Sequence, residues 1–367
     1  MALAASAGLA VVWLVYPGLI WVAGRLVRRP PAGPLTEWPK VSVVLATREE
    51  MPLVAERIRN LVATAYPLDR LEIIIAQDGR QAALDLAALP ASGAALRLVR
   101  SVEPGKAAGL NGGVSAAVGD VIVFADTRQK FEPETIPRLV ANVMQDGVGA
   151  VTGSYSLAPG SGAVVSLYWQ YERWLRRAEA RFHSSVGATG AVYAIRRSAW
   201  SPLPIGLILD DVYTPMRVVL SGQRVAFAED ARAHETRTPT PVQEYGRKVR
   251  TLTGVIQLCA WLPAVLAPVR NPIWLQFVCH KLLRLLTPYG VAVLGIWALA
   301  ALLTSLDRQA LFSLSVVALL AATWVALTRS AWGSRIRKLM VEAVLIQVAV
   351  LMAGINGIRG HWQVWDG

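Results

Sequence analysis

Asp78, Asp126 and the adjacent pair Asp210 and Asp211 each follow an apolar run: LEIIIAQ, VIVFA and GLIL respectively. Neighbouring carboxylates raise each other's pKa, so the pair Asp210–Asp211 can supply a base that takes a proton near neutral pH. The competing reading of the pair is an acidic helix start that complements the helix dipole. In VIVFADTRQKFEP, Arg128 stands two residues after Asp126. Its planar guanidinium suits phosphate oxygens, or else it pairs with Asp126 or Asp211. Asp78 precedes Gly79, which also fits a solvated turn. His234 and Glu235 in ARAHE form either a metal contact or a structural histidine with an acidic neighbour. Cys259 and Cys279 lack CxxC or Cys/His spacing and read as packing residues.

The elements that must carry these residues are legible from residue 41 onward. Short apolar runs alternate with helical patterns: VSVVLA, a helix from about 51, LEIIIA, a helix from about 80, LRLV, a helix from about 106, VIVFA, and a helix after Pro133. Near-continuous Val, Ile and Leu strands divided by helices predict an α/β domain with a mostly parallel sheet covered on both faces. Ligands of such sheets bind beyond the carboxyl ends of the strands, which singles out Thr47 to Glu50, Asp78 and Asp126. No G-x-G-x-x-G follows the first strand and no Walker lysine loop is present, so a dinucleotide or P-loop fold is disfavoured.

With 54% hydrophobic residues, 17% charged residues and a mean hydropathy of +0.41, the chain has more apolar material than one soluble core requires. Residues 2–24 are uncharged, long enough to cross a bilayer, and followed at once by Arg25, Arg28 and Arg29. MALAAS lacks the basic start of a cleaved signal. Further spans are expected at about 285–305, 310–328 and 339–356. The basic loop RSAWGSRIRK at 329–338 then places residues 25–284 in the cytoplasm and the N-terminus outside. NPIWLQFVCHKLLRLL reads either as an interfacial helix or as the start of the second span. The net charge of +12 suits anionic headgroups and phosphorylated substrates, and no nucleic-acid motif is present.

Seen together, VSVVLATREE, LEIIIAQDGR, GKAAGLNGGV, VIVFADTRQKFEP, VGATGAVYAIRR, LILDDVYTPMRVVLSGQRV and RKVRTLTGVIQL occur in the order and spacing of the membrane-bound family 2 glycosyltransferases. Over residues 40 to 285 the chain resembles the cellulose, chitin and hyaluronan synthase type. The resemblance implies a GT-A fold that binds a nucleotide sugar, with transmembrane and interfacial helices. It places Thr47 and Glu50 beside the nucleotide and Asp78 on the base or ribose. Lys106, in the K-x-x-x-L-N setting with Asn111, would reach the pyrophosphate or sugar. Asp211, with Asp210 beside it, would be the base on the acceptor hydroxyl, and direct attack with one base implies inversion. GATG, from residue 187, is similar to the acceptor-side loop, although tight packing explains its small residues equally well.

Two motifs depart from the family pattern. Asp126 matches the first carboxylate of D-x-D, but Arg128 stands where the second would be, similar to Asp-x-Arg-Gln versions in bacterial members. A divalent cation, Mg²⁺ or Mn²⁺, would then rest on Asp126 alone among the protein carboxylates. The Q-x-x-R-W motif is represented by Arg247, Arg250 and Thr251, and threonine cannot stack on a sugar. Arg250 is still expected at the leaving diphosphate.

The resulting division is a transmembrane helix at 1–24, a catalytic domain at 25–236, acceptor-side or interfacial helices at 237–284 and a membrane region at 285–367. The expected protein sits in a bacterial inner membrane with a cytoplasmic catalytic domain. It joins a sugar to a lipid-linked or growing saccharide for cell-surface polysaccharide. The alternatives are a processive synthase that exports its own chain and a non-catalytic nucleotide-binding membrane partner.

Overall fold

The computed structural model describes residues 1–90, 92–158, 163–237, 241–305, 308–327, 345 and 347–362. The chain separates into two compact units, one formed by Pro17–Thr238 with Gln257–Val278 and the other by Met1–Tyr16, Pro239–Ile256 and Cys279–Gly367.

The larger unit is built on a single sheet of β1 (Val41–Thr47), β2 (Leu71–Asp78), β3 (Ala95–Ser101), β4 (Val121–Ala125), β5 (Gln129–Phe131), β6 (Val148–Ser156), β7 (Val192–Arg196) and β8 (Arg224–Glu235). The order across it is β3-β2-β1-β4-β7-β6-β8-β5. β3, β2, β1 and β4 are mutually parallel, as are β6 and β8, whereas β7 runs antiparallel to both β4 and β6. All eight residues of β2 are buried, which is why its centre reads as the continuous apolar run IIIA rather than an alternating one. The edge strand β3 is half exposed and carries Arg97 and Arg100, charges that discourage pairing with another chain.

Side chains leave alternate faces of each strand. Val43 and Leu45 of β1 enter a core with Val54, Ile58 and Leu61 of the helix Met51–Val62 and with Ile136, Leu139 and Val140 of the helix Thr135–Val143. These helical residues recur at three- and four-residue spacing, the pattern of one buried face. Val44 points the other way, against Gly113 of the helix Lys106–Ala116. Both faces of the parallel half are therefore covered.

The helix expected from about residue 80 does not form. Gln77 holds this segment as a loop, donating to the Ala82 carbonyl at 2.7 Å and accepting from the Leu84 amide at 3.2 Å. Only a single turn, Leu86–Ala88, is helical, and the Asp85 carboxylate accepts from the Ala87 amide before Pro90 ends the run.

The smaller unit is helical. Within it Trp13 Nε1 donates to Thr287 Oγ1 at 3.1 Å, the Arg284 guanidinium lies 4.7 Å from the Trp13 ring centre, and Asn356 donates to Thr253. Among the described residues two helices, Ala2–Leu26 and Trp274–Thr304, are long and apolar enough to cross a membrane. Most of NPIWLQFVCHKLLRLL lies within the second, so this stretch runs without a break into the longer apolar helix. Its turns widen over Val278–Leu282 and tighten over Leu283–Leu286. Arg308–Leu327 forms another helix, and residues 347–359 are helical. The basic loop 329–338 and the start of the span expected at 339–356 lie outside the described residues.

Candidate active site

The sheet topology decides which residues meet. β1, β2 and β4 end at one rim, where Thr47, Asp78 and Asp126 are found. Because β7 is antiparallel to β4, with Val192 opposite Ala125, the loop that precedes β7 arrives at that same rim. This loop is 187–190, the GATG stretch.

Lys106 stands at the centre. It opens the helix Lys106–Ala116, and its Nζ lies 3.2 Å from Asp126 Oδ1 and 3.4 Å from Asp210 Oδ2. Burial works against its charge, but the facing carboxylates of Asp126, Asp210 and Asp211 prevail and hold its pKa above the ordinary lysine value. Asp210 and Asp211 are the first two residues of the helix Asp210–Leu220, an end that favours negative charge. Their environments differ. Asp210 is buried, and burial, reinforced by Asp211 and Asp126, lifts its pKa to about 6 against the opposing pull of Lys106. Asp211 is half-buried, and its Oδ2 accepts a hydrogen bond from the Gly190 amide at 3.3 Å. Its backbone carbonyl accepts from the Ala188 amide at 2.7 Å. Tyr193 lies beneath this cluster, with its phenol pKa raised well above normal by burial and by the same three aspartates.

The glycine at 190 is a matter of space. A Cβ there would lie 3.3 Å from Asp211 Oδ2 and 3.5 Å from Lys106 Nζ, inside the gap between carboxylate and ammonium. The small residues of GATG therefore let the loop backbone approach Asp211 and Lys106.

A second group sits further along the rim. Asp78 is 5% exposed and receives Arg48 Nε at 3.1 Å, Arg80 Nη2 at 2.9 Å and the Gly105 amide at 3.3 Å. The Arg80 hydrogen bond is the main reason that its carboxyl titrates well below the usual range, despite burial. Gly105 immediately precedes Lys106, so Asp78 anchors the start of the lysine's helix. The solvated-turn reading of Asp78 does not describe this buried, doubly ion-paired carboxylate.

Arg128 pairs with neither Asp126 nor Asp211. Its Nε and Nη2 both lie 2.8 Å from Glu49 Oε1. Glu49 in turn donates its amide to Thr47 Oγ1, which also accepts from Thr127 Oγ1 at 2.9 Å. Glu50 caps the helix Met51–Val62 by position and is exposed. Arg80 is the neighbour that the sequence did not single out, and Arg48 and Glu49 lay within the marked stretch Thr47 to Glu50 without roles of their own. The signal for Arg80 was its place two residues beyond Asp78 at a strand end.

Other expected site residues are occupied elsewhere. Asn111 spends its amide on Leu203, donating Nδ2 to the carbonyl and accepting from the amide, both at 2.8 Å. Arg247 and Arg250 are on the helix Pro241–Trp261, in its portion assigned to the smaller unit. Arg247 pairs there with Glu244 at 2.7 Å, and its carbonyl accepts from Thr251. His234 Nε2 lies 2.8 Å from Glu132, and Glu235 accepts from Gln129 and Tyr155. These contacts tie β8 to β5 and β6, the structural alternative for ARAHE. Among the described residues no group of three or more His, Cys, Asp or Glu can hold a metal ion. Asp126, about one-third exposed at the rim, still offers a single carboxylate, enough for a hard cation that takes its other ligands from water and phosphate.

Comparison with known proteins identifies the family of the fold. A family model described as glycosyltransferase like family 2 matches residues 39–254. The "Probable glycosyltransferase YdaM" of Bacillus subtilis (strain 168) is 26% identical over 176 residues, 45% of this chain and 42% of that protein. "Cellulose synthase 2" of Novacetimonas hansenii is 23% identical over 96% of this chain but only 23% of its own length. The chain thus spans less than half of either relative. Among solved structures, mannosyltransferase PcManGT from Pyrobaculum calidifontis, in complex with GDP-Man and Mn²⁺, superimposes with a TM-score of 0.69 at 22% identity. The match covers 98% of this chain and 99% of that one. At that identity the likeness is one of fold, and the fold is the GT-A type expected from the motifs.

Proposed function

This chain belongs to the family 2 glycosyltransferases, and we propose that it moves a sugar, with inversion, from a nucleotide sugar to a lipid-linked or growing saccharide at a membrane. The observation that carries the reading is the convergence of Lys106, Asp126, Asp210 and Asp211 at one rim of the sheet. The carboxylates around Lys106 outnumber its single charge, a setting suited to a divalent cation that would accompany the donor diphosphate, and Asp211 faces the loop on which an acceptor would rest.

In this mechanism Asp78 and Thr47 border the nucleoside end. Arg128 swings from Glu49 to the donor diphosphate, where its fork of N–H groups matches phosphate oxygens. Lys106 neutralises charge that develops as the nucleoside diphosphate leaves. Asp211 takes the proton from the acceptor hydroxyl as that oxygen attacks the anomeric carbon. Asp126 would hold a Mg²⁺ or Mn²⁺ ion, which supplies further charge on the phosphate oxygens. Attack from the face opposite the leaving group turns an α-linked donor into a β-linked product.

The division proposed is a span at 1–24, a cytoplasmic catalytic domain at 25–236, acceptor-side helices at 237–284 and further spans at 285–367. The inner membrane of a bacterium, with the N-terminus outside, and a place in cell-surface polysaccharide assembly follow from that arrangement. Two apolar helices of membrane-crossing length and the cellulose synthase relative support it. The replacement of the motif's tryptophan by Thr251 favours single-step transfer over a processive, chain-exporting synthase.

The test is nucleoside diphosphate release from a panel of nucleotide sugars, with and without a chelator, by membranes containing the protein. Transfer of one sugar supports the proposal, and a ladder of products favours the synthase. Binding of nucleotide without turnover on any sugar or metal would make the protein a non-catalytic partner.

A further inference from the structure

A second charged site lies away from the strand ends, where the helix Tyr16–Leu26 meets the helix Ala163–Phe182. The helices touch through Gly24, where a Cβ would stand 2.8 Å from the Ala178 carbonyl oxygen, so a larger residue would push them apart. Beside this contact opens a cleft of about 440 Å³ lined by Arg25, Arg28, Arg29 and Arg181 together with Gly24 and Val27. No carboxylate lines it, and among the described residues none of the four arginines makes an ion pair. Arg29 is fixed by donating Nε to the Arg181 carbonyl and Nη2 to the Phe182 carbonyl, both at 2.9 Å. Arg25 is laid over the Trp21 ring at 3.9 Å. The field is felt nearby: besides burial, Arg29 and Arg224 both hold the His183 pKa below its ordinary value.

Four guanidinium groups gathered without a counter-charge repel one another unless an anion enters. Two of them are already oriented, which lowers the cost of binding. The geometry points to a site for the phosphodiester headgroup of an anionic lipid, bound by Arg25, Arg28, Arg29 and Arg181 at the end of the first apolar helix. A lipid is the source favoured because the cleft sits where Ala2–Leu26 ends, and a helix of that length brings its basic end to the headgroup layer. The inference rests on the membrane placement proposed above.

The experiment uses the full chain, wild type and Arg25→Gln/Arg28→Gln/Arg181→Gln, in phosphatidylcholine nanodiscs with or without phosphatidylglycerol. Lipid retained on the protein after detergent extraction is counted by native mass spectrometry. The wild type should retain at least roughly 5-fold more phosphatidylglycerol than the triple variant, with phosphatidylcholine equal in both. Equal phosphatidylglycerol retention overturns the site. Complete displacement by millimolar inorganic phosphate overturns the lipid source and makes the cleft a free-phosphate site. Turnover of the sugar nucleotide in detergent should be unchanged in the variant. Should the triple variant lose it, Arg28→Glu at an exposed position reads the same retention. Recovery of the wild type in the soluble fraction defeats the membrane reading itself, whereas recovery in membranes without headgroup preference defeats this site alone.

Discussion

Arg128 and Glu49 meet across the carboxyl ends of β4 and β1, with Nη2 and Oε1 2.8 Å apart. Both are partly exposed, so the pair contributes little to stability and is easily exchanged for a better anion. A donor diphosphate carries more charge and more acceptor oxygens than one carboxylate. Arg128→Ala is expected to lower nucleoside diphosphate release about 100-fold or more, while Glu49→Gln leaves kcat within about 3-fold, since a surface pair of this kind is worth little. Near-normal turnover by Arg128→Ala would sink the phosphate role.

Asp211→Asn removes the proposed base without altering side-chain volume. Its kcat should fall by about 10²–10⁴-fold, with donor binding retained. Equilibrium binding of the nucleotide, measured beside turnover, separates the two effects. Turnover within a few-fold of wild type would move the base elsewhere.

Asp210 gives a pH signature. Its folded-state pKa, about 6, lies above the carboxylate value of 3.8, so the folded protein binds the proton more tightly than the unfolded chain. The stability tied to this group is therefore present at low pH and lost as pH rises through about 6. Asp210→Asn should flatten the fall in Tm between pH 4 and 6. The same variant should lose the acid limb near pH 6 in kcat/KM, because Lys106 no longer senses that proton. A Tm profile of unchanged slope across this range would argue against the raised pKa.

Gly190→Ala places a methyl group between Asp211 and Lys106. Small displacements of reacting groups cost about 10²-fold in rate, and that order of loss is expected in kcat, with Tm nearly unchanged. Gly190→Val should be worse. Full activity in Gly190→Ala would show that the gap is not used.

Asn111→Ala separates two roles. The Asn111–Leu203 hydrogen bonds make the residue a strut between the lysine's helix and the chain leading to Asp210. The expected result is a loss of about 1–3 kcal/mol of stability from the unsatisfied backbone groups, with the donor KM within about 3-fold because no charge at the diphosphate is lost. A KM rise without a change in Tm would instead place the amide on the donor.

The sequence conveyed the parallel half of the fold well, because buried strands such as LEIIIAQD and VIVFA have a local signature and their last residues mark the ligand rim. It conveyed the half of the sheet beyond β4 less well. The reversal of β7 and the pairing of β6 with β8 depend on contacts between distant segments, for which YAIR and RVAFA carry no local mark. Position within a turn was also illegible: Glu49 and Glu50 are chemically alike, and only backbone direction after Thr47 decides which reaches Arg128. The helix expected near residue 80 failed for a related reason, since a single glutamine at position 77 claims the loop's polar backbone groups.

In the proposed mechanism the strand reversal at β7 gives the two substrates separate parts of the chain. Residues up to Arg128 would frame the nucleotide, whereas the stretch from Gly187 through Asp211 would face the incoming hydroxyl. Acceptor choice is then open to grafting: exchanging that stretch between related enzymes would redirect the product while donor preference stays with the host.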